Sequence, residues 1–184
     1  MSSRVRLDLF DNKKGFNRGA SKLKEGCWYL IKIFFFLGAF PYPSSFKIFL
    51  LKLFGARVGE GVVLKPRVNI HFPWKLSVGD HVWIGEEVFI LNFEKVTIGS
   101  NVCLSQRVFL CAGNHDFRDP SFSYRNGPIE LEDGCWVGAN SFVGPNARIG
   151  VDTVVSAGSV VTSSLPPNGI YKGNPLTYIS DRWK

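Results

Sequence analysis

A chain of 184 residues is long enough to bury a sizeable core without covalent staples, and its four cysteines, Cys27, Cys103, Cys111 and Cys135, argue against a zinc site or a disulfide framework. They form no C-x-x-C pair and no Cys/His cluster of metal-ligand spacing, which points to a reducing compartment and to a protein without a bound metal. The net charge of +7 is concentrated at one end, where residues 1–57 carry 11 Lys and Arg against 3 Asp and Glu; no groove-reading motif accompanies this excess, so anionic lipid or an anionic substrate suits it better than nucleic acid.

The first ten residues lack the basic stretch, long apolar run and small-residue cleavage site of a signal peptide, which predicts a cytoplasmic protein. Two apolar stretches follow. Cys27–Phe40 contains Lys32 and runs into Pro41 and Pro43, while Phe46–Phe54 carries Lys47 and Lys52. Both are too short to span a bilayer and read as amphipathic helices. Residues 1–55 are therefore expected to form a helical cap, either packed on the domain or lying against the inner face of a membrane.

From residue 56 a repeat takes over. Val58, Leu64 and Ile70, then Val78, Ile84 and Ile90, then Ile98, Leu104 and Leu110 fall six residues apart, as do Leu131, Val137, Val143, Ile149, Val155 and Val161. All fifteen positions are Ile, Leu or Val, residue types that fill only 45 of the 184 positions. A second small or branched residue follows four positions later, as in Val62, Val82, Val102, Cys135, Ser141, Thr153 and Ser159, and Gly138, Gly144 and Gly150 directly follow three of the aliphatic residues. A period of six fits neither a helix nor a plain alternating strand, but does fit a short strand plus a turn, three to a triangular coil. Stacked coils about 4.8 Å apart bury the aliphatic column. The spacing predicts about five coils over 56–165, with a loop at 111–128 projecting from the long gap and a tail at 166–184 closing the stack.

That loop contains Cys111-Ala112-Gly113-Asn114-His115-Asp116. A reaction in which a hydroxyl or amine attacks needs a base to take its proton, and an imidazole on a loop over a rigid scaffold suits that at neutral pH. A loop histidine is also an ordinary surface residue, and Cys111 offers a thiol-nucleophile alternative that its position after a core leucine makes the weaker one. Phe117, Phe122, Tyr124 and Arg125 suit a sugar ring, a lid, or packing on a second subunit. A three-histidine zinc enzyme on the same scaffold would have to use His71, His81 and His115, whose places in the repeat do not converge.

The pattern [Ile/Leu/Val]-Gly-x-x-[small/Val]-x resembles the hexapeptide repeat of left-handed β-helix acyltransferases. Ser105–Pro128 is similar to the galactoside and maltose O-acetyltransferases. Nearly the whole chain, including Phe16–Ser21, Phe49–Gly55, Asn69–Leu76 and Asp80–Gly85, is similar to acetyltransferases of extracellular-polysaccharide clusters of the colanic acid kind. The resemblance implies a left-handed solenoid and a homotrimer with sites at subunit clefts. The activity implied is acetyl-CoA-dependent O-acetylation of a saccharide or lipid-linked glycan in surface polysaccharide assembly, by direct transfer with His115 as general base. An N-acetyltransferase acting on an amino sugar or nucleotide sugar and a non-catalytic scaffold remain alternatives.

The same resemblance places Asn92 in the acceptor pocket, a role it shares with that of a corner residue. Asp116 is expected to meet an acceptor hydroxyl or orient the imidazole, with capping of the loop turn as the alternative. It puts Ala139, Ala157 and Thr162 against the donor, though the two alanines equally suit tight corners. Ser163 stands where relatives carry a lysine, so Lys172 or Arg182 is left to meet the nucleotide phosphate.

Overall fold

The computed structural model describes residues 4–183. A six-residue unit leaves two or three residues for a strand before the chain must turn, and from Arg57 to Val161 each strand has that length. They stack into three parallel walls. The first comprises Arg57–Val58, Leu76–Val78, Val96–Ile98, Ile129–Leu131 and Arg148–Ile149. The second begins with Val63–Leu64, Trp83–Ile84, Cys103–Leu104, Trp136–Val137 and Val154–Val155. The third is Asn69–Ile70, Phe89–Leu91, Phe109–Cys111, Phe142–Val143 and Val160–Val161. All fifteen aliphatic positions of the repeat point inward and are buried, as are the second inward positions from Val62 to Ser159.

The corners follow a rule of their own. Three residues before each inward aliphatic residue of the second and third walls, and of Ile149 in the first, the backbone takes a positive φ: Gly61, Arg67, His81, Glu87, Asn101, Arg107, Gly134, Asn140, Asn146, Asp152 and Gly158. Asn, Asp and Gly dominate these positions because they tolerate the left-handed region best. His81 is thus a corner residue.

Five coils are complete, and a sixth is begun, where about five were expected. Leu165 bridges in parallel to Ile149, and Gly169–Lys172 adds a parallel strand beside Val154–Val155, so the tail first extends the second wall before the antiparallel strand Thr177–Asp181 covers its edge. An edge with unpaired backbone groups needs such a cover.

The opposite end is covered by helices α1 (Lys22–Phe35) and α2 (Ser44–Leu53). α1 starts five residues earlier than the apolar run because Ser21 caps it, its Oγ accepting from the Lys24 N–H at 3.3 Å. It ends before Gly38. The buried Trp28 anchors α1 to the first coil, donating from Nε1 to the Ile70 carbonyl at 3.1 Å. α2 lies over the second wall's open edge, where Lys47, 2 % exposed, donates its ammonium to the carbonyls of Leu64 and Lys65.

Burial, with Lys65 nearby, lowers the Lys47 pKa from 10.5 to about 8. Between those values the unfolded chain holds a proton the folded chain has lost, so this site's contribution to stability is full above 10.5 and is lost as pH falls through 8. Thermal melts should therefore show wild type gaining ~3 kcal/mol relative to Lys47→Met as pH rises across that window. Parallel curves for the two proteins would refute it.

Candidate active site

The long insertion folds as a small antiparallel hairpin on the third wall. Gly127 N–H donates to Ala112 O at 3.0 Å, Arg125 N–H to Asn114 O at 2.8 Å, and Asp116 N–H to Ser123 O at 2.8 Å. His115 bridges to Tyr124 across this hairpin. Its imidazole stacks on Phe122 at 4.3 Å between centroids and 6° between planes, and lies 4.9 Å from the Tyr124 ring.

Nδ1 of His115 is 2.7 Å from the carbonyl oxygen of Phe122. A carbonyl can only accept, so Nδ1 carries the hydrogen, and in the neutral ring Nε2 holds the lone pair. The carbonyl and the stacked rings together hold the tautomer and plane that a base requires. Asp116 does not do this. Its Oδ1 accepts from Arg118 N–H at 2.9 Å, capping the loop turn, which is the alternative role raised for it.

A third layer comes from the N-terminal arm. Arg6 N–H donates to Pro120 O at 2.8 Å, and Phe10 packs 5.4 Å from the His115 ring and 5.2 Å from Tyr124. Nothing in the local sequence ties Phe10 to a loop a hundred residues later, and sequence reasoning missed it. The role of Phe122 was legible only as an aromatic side chain, since a backbone acceptor leaves no mark on residue type.

Beside the hairpin lies a cleft lined by Cys111, Asn114, Arg125, Phe142, Asn146 and Thr162. Thr162 is thus brought next to the His115 loop, whereas Ser163 is exposed just beyond it. Ala139 and Ala157 occupy successive layers of another corner, between the second and third walls, where Gly158 N–H donates to Ala139 O at 2.8 Å. A Cβ on Gly138 would sit 2.5 Å from Ala157 N, so small residues here serve close packing of coils whatever else they meet. Lys172 lies one layer further along this edge: Ser156 N–H donates to Tyr171 O at 2.8 Å and Gly173 N–H to Ser159 Oγ at 2.9 Å. Arg182 is at a different corner, its guanidinium donating to the carbonyls of Gly134 and Asp152 at 2.7 and 3.1 Å. It is spent on capping, which leaves Lys172 as the cation on the alanine edge.

Asn92 sits at a corner, the other role raised for it. It is fully buried, with Oδ1 accepting from Phe72 N–H at 2.8 Å and Nδ2 donating to Phe72 O at 2.6 Å. Both amide atoms pair with one backbone unit in the coil below, so Asn92 supports this corner. Cys111 donates its thiol to Gly113 O at 3.2 Å and burial pushes its pKa up, the reverse of what a thiolate nucleophile needs. Among the described residues no three His, Cys, Asp or Glu side chains gather to hold a metal ion.

A three-walled parallel solenoid of six-residue units, carrying one inserted histidine loop beside a cleft on its third wall, defines the β-helix class of transferases. The chain is 38 % identical to the putative colanic acid biosynthesis acetyltransferase WcaF of Escherichia coli (strain K12) over 176 residues, 96 % of each chain. Its fold is similar to that of a hexapeptide-repeat acetyltransferase of Vibrio cholerae, with a TM-score of 0.80 over 90 % of this chain and 96 % of that one at 22 % identity. A galactoside acetyltransferase solved in complex with coenzyme A matches with a TM-score of 0.77 at 24 % identity, over 87 % and 81 % of the two chains. No family model matches the chain. The chain belongs to the hexapeptide-repeat acetyltransferases, and its solenoid is the left-handed β-helix of that family.

Proposed function

We propose that this acetyltransferase moves the acetyl group of acetyl-CoA onto a saccharide hydroxyl in surface or extracellular polysaccharide assembly, with His115 as general base. The observation that carries the reading is the Phe122 carbonyl on Nδ1, which leaves Nε2 free to accept a proton, on a loop whose Asn114 and Arg125 line the Thr162 cleft. The acceptor oxygen attacks the thioester carbon as Nε2 takes its proton. The C–O bond forms, the C–S bond breaks, and the proton passes to the departing thiolate sulfur. N–H donors of the cleft wall would hold the oxyanion. Phe10, Phe122 and Tyr124 supply ring faces of the kind that sugar rings stack on.

The pantetheine arm is assigned to the third wall between the Ala139–Ala157 edge and Thr162, with Lys172 toward the nucleotide phosphates. What supports this is that Phe142 and Val160, the outward residues of that wall's last two strands, form an apolar strip flanked by these positions.

The walls also differ outwardly. The first presents Arg57, Ser77, Thr97, Glu130 and Arg148; the second presents Val63, Trp83, Cys103 and Trp136; the third presents Asn69 and then Phe89, Phe109, Phe142 and Val160. Trp83 and Trp136 are about half exposed. Two apolar walls meeting at one edge favour a head-to-tail ring, and a homotrimer with sites at the subunit clefts is the form we assign. No helix among the described residues is long and apolar enough to cross a membrane. The basic N-terminal helices are assigned to the inner face of a membrane, with the transferase on its cytoplasmic side.

Incubation with acetyl-CoA and a panel of saccharides tests the acceptor class directly. An O-acetyl product releases its acetyl group to hydroxylamine under mild conditions. An acetyl group that resists this treatment is an amide, and would replace the present reading with N-acetylation.

A further inference from the structure

A second cavity, of about 360 Å³, opens where α1 crosses the first coil, lined by Arg18, Lys22, Glu25, Tyr29, Lys32 and His71. Its charge is unbalanced. Lys32 is 6 % exposed, yet among the described residues its ammonium has no hydrogen bond or ion pair, only the Tyr29 ring at 5.5 Å. Glu25 spends Oε2 on Arg18 at 2.8 Å and leaves Oε1 buried without a partner. His71 adds no charge at neutral pH, because burial and then Lys32 and Arg18 push it down to about 4. Three cations against one carboxylate leave the cavity positive, and an ammonium buried without an acceptor is costly. An anion would pair with Lys32, and a hydroxyl would donate to Glu25 Oε1.

The same helix carries a second stripe. Lys22, Glu25, Tyr29 and Lys32 recur at i, i+3, i+7 and i+10 on the cavity flank. Leu23, Cys27, Leu30 and Phe34 recur at i, i+4, i+7 and i+11 and face outward, with Leu23, Leu30 and Phe34 exposed by 78, 57 and 66 %. Ile33, Leu37 and Phe40 are exposed as well, and so are Phe49 and Leu53 of α2. Scattered apolar residues are normal on a surface, but a continuous helical stripe beside an unfilled cationic cavity is not. A second copy of the chain would bring two basic rims together. A phospholipid layer matches both features, acyl chains for the stripe and an anionic headgroup for the cavity.

We propose that this cavity is a phospholipid headgroup site, taking a phosphodiester on Lys32 and Lys22 and a headgroup hydroxyl, as in phosphatidylglycerol, on Glu25, with the outward stripe of α1 in the acyl layer. This rests on the membrane-surface reading of the N-terminal helices and is independent of the acetyl-transfer chemistry. Lys32 keeps its amphipathic stem among apolar neighbours and offers its ammonium at the cavity.

The test is co-sedimentation of the full chain with vesicles of phosphatidylcholine alone, phosphatidylcholine with phosphatidylglycerol, and phosphatidylcholine with phosphatidic acid, which has no headgroup hydroxyl. Wild type should partition at least about tenfold better onto phosphatidylglycerol than onto phosphatidylcholine, with phosphatidic acid between them. Lys32→Met should lose most of that preference while keeping a wild-type melting temperature. Phe34→Gln, on the exposed stripe, should weaken partition onto all three vesicles. Equal partition of Lys32→Met and wild type overturns the headgroup site while leaving the membrane-surface reading standing. No sedimentation of wild type with any vesicle overturns both. Full release from vesicles by millimolar glycerol phosphate would show a site for a soluble phosphate instead, and unchanged binding of Phe34→Gln would remove the acyl contact; either result overturns the proposal.

Discussion

His115→Ala should lower kcat for acetyl transfer by about a thousandfold while leaving the melting temperature close to that of wild type. General-base catalysis contributes roughly 10² to 10⁴ in rate. The lost group is the lone pair on Nε2, whereas the side chain's structural contacts, a hydrogen bond from Nδ1 to Phe122 O and stacking on Phe122 and Tyr124, sit on a half-buried loop outside the solenoid core. Binding of acetyl-CoA should persist, because Thr162, Phe142 and the alanine edge do not depend on the imidazole. Monitoring free thiol from acetyl-CoA with a competent acceptor reads the effect. Unchanged turnover in His115→Ala would end the assignment of the base, and a collapse in melting temperature would recast His115 as a structural residue.

Gly138→Val should be among the most damaging single substitutions at a corner, costing ~3 kcal/mol in stability. A Cβ at residue 138 meets Ala157 N at 2.5 Å, Ala157 Cα at 2.9 Å and the Ser156 carbonyl carbon at 2.9 Å. All three are backbone of the next coil and cannot swing aside. Relief requires pulling two coils apart, which strains the 2.7 Å bond from Gly138 N–H to Val155 O and its neighbours. Equilibrium denaturation measures the loss. Because the strain falls on the corner that carries Ala139 and Ala157, acetyl-CoA affinity should drop with it. A variant of wild-type stability would mean that the coils are not held at this spacing.

The two substitutions probe features of different visibility. Gly138 follows an inward valine in a repeat, so its position and its reason are both written in the chain. The corner preference for Asn, Asp and Gly three residues before the aliphatic column was written there too, in Asn101, Asn140, Asn146 and Asp152, but Arg67, His81, Glu87 and Arg107 occupy equivalent positive-φ positions and blur it. The site divides in the same way. Thr162 follows the last aliphatic residue of the repeat, and the structure brings it to the cleft beside His115. Asn92 and Asp116 suggested polar contacts to an acceptor; in the folded chain the Asn92 amide bonds the Phe72 backbone and Asp116 Oδ1 accepts from Arg118 N–H. A polar side chain in a sequence says that it will find a partner and leaves the partner open. Arg182 shows the same thing with a cation, which turned to carbonyls at the first-to-second wall corner.

By itself the sequence determined the solenoid, its period, its buried column, the place of the one long insertion and the histidine within it. Each of these depends on residues a few positions apart, where a strand of two or three residues must bury one aliphatic side chain and then turn. Tertiary structure alone decided which atom holds the imidazole, that Phe10 closes over it, that Lys47 covers the open edge of the second wall, and that Lys32, among the described residues, has no ion pair in its cavity. Those depend on pairings across tens of residues, from Lys47 to Leu64 and from Phe10 to His115, where stacking of coils and packing of the N-terminal arm bring distant backbone carbonyls, rings and charges together.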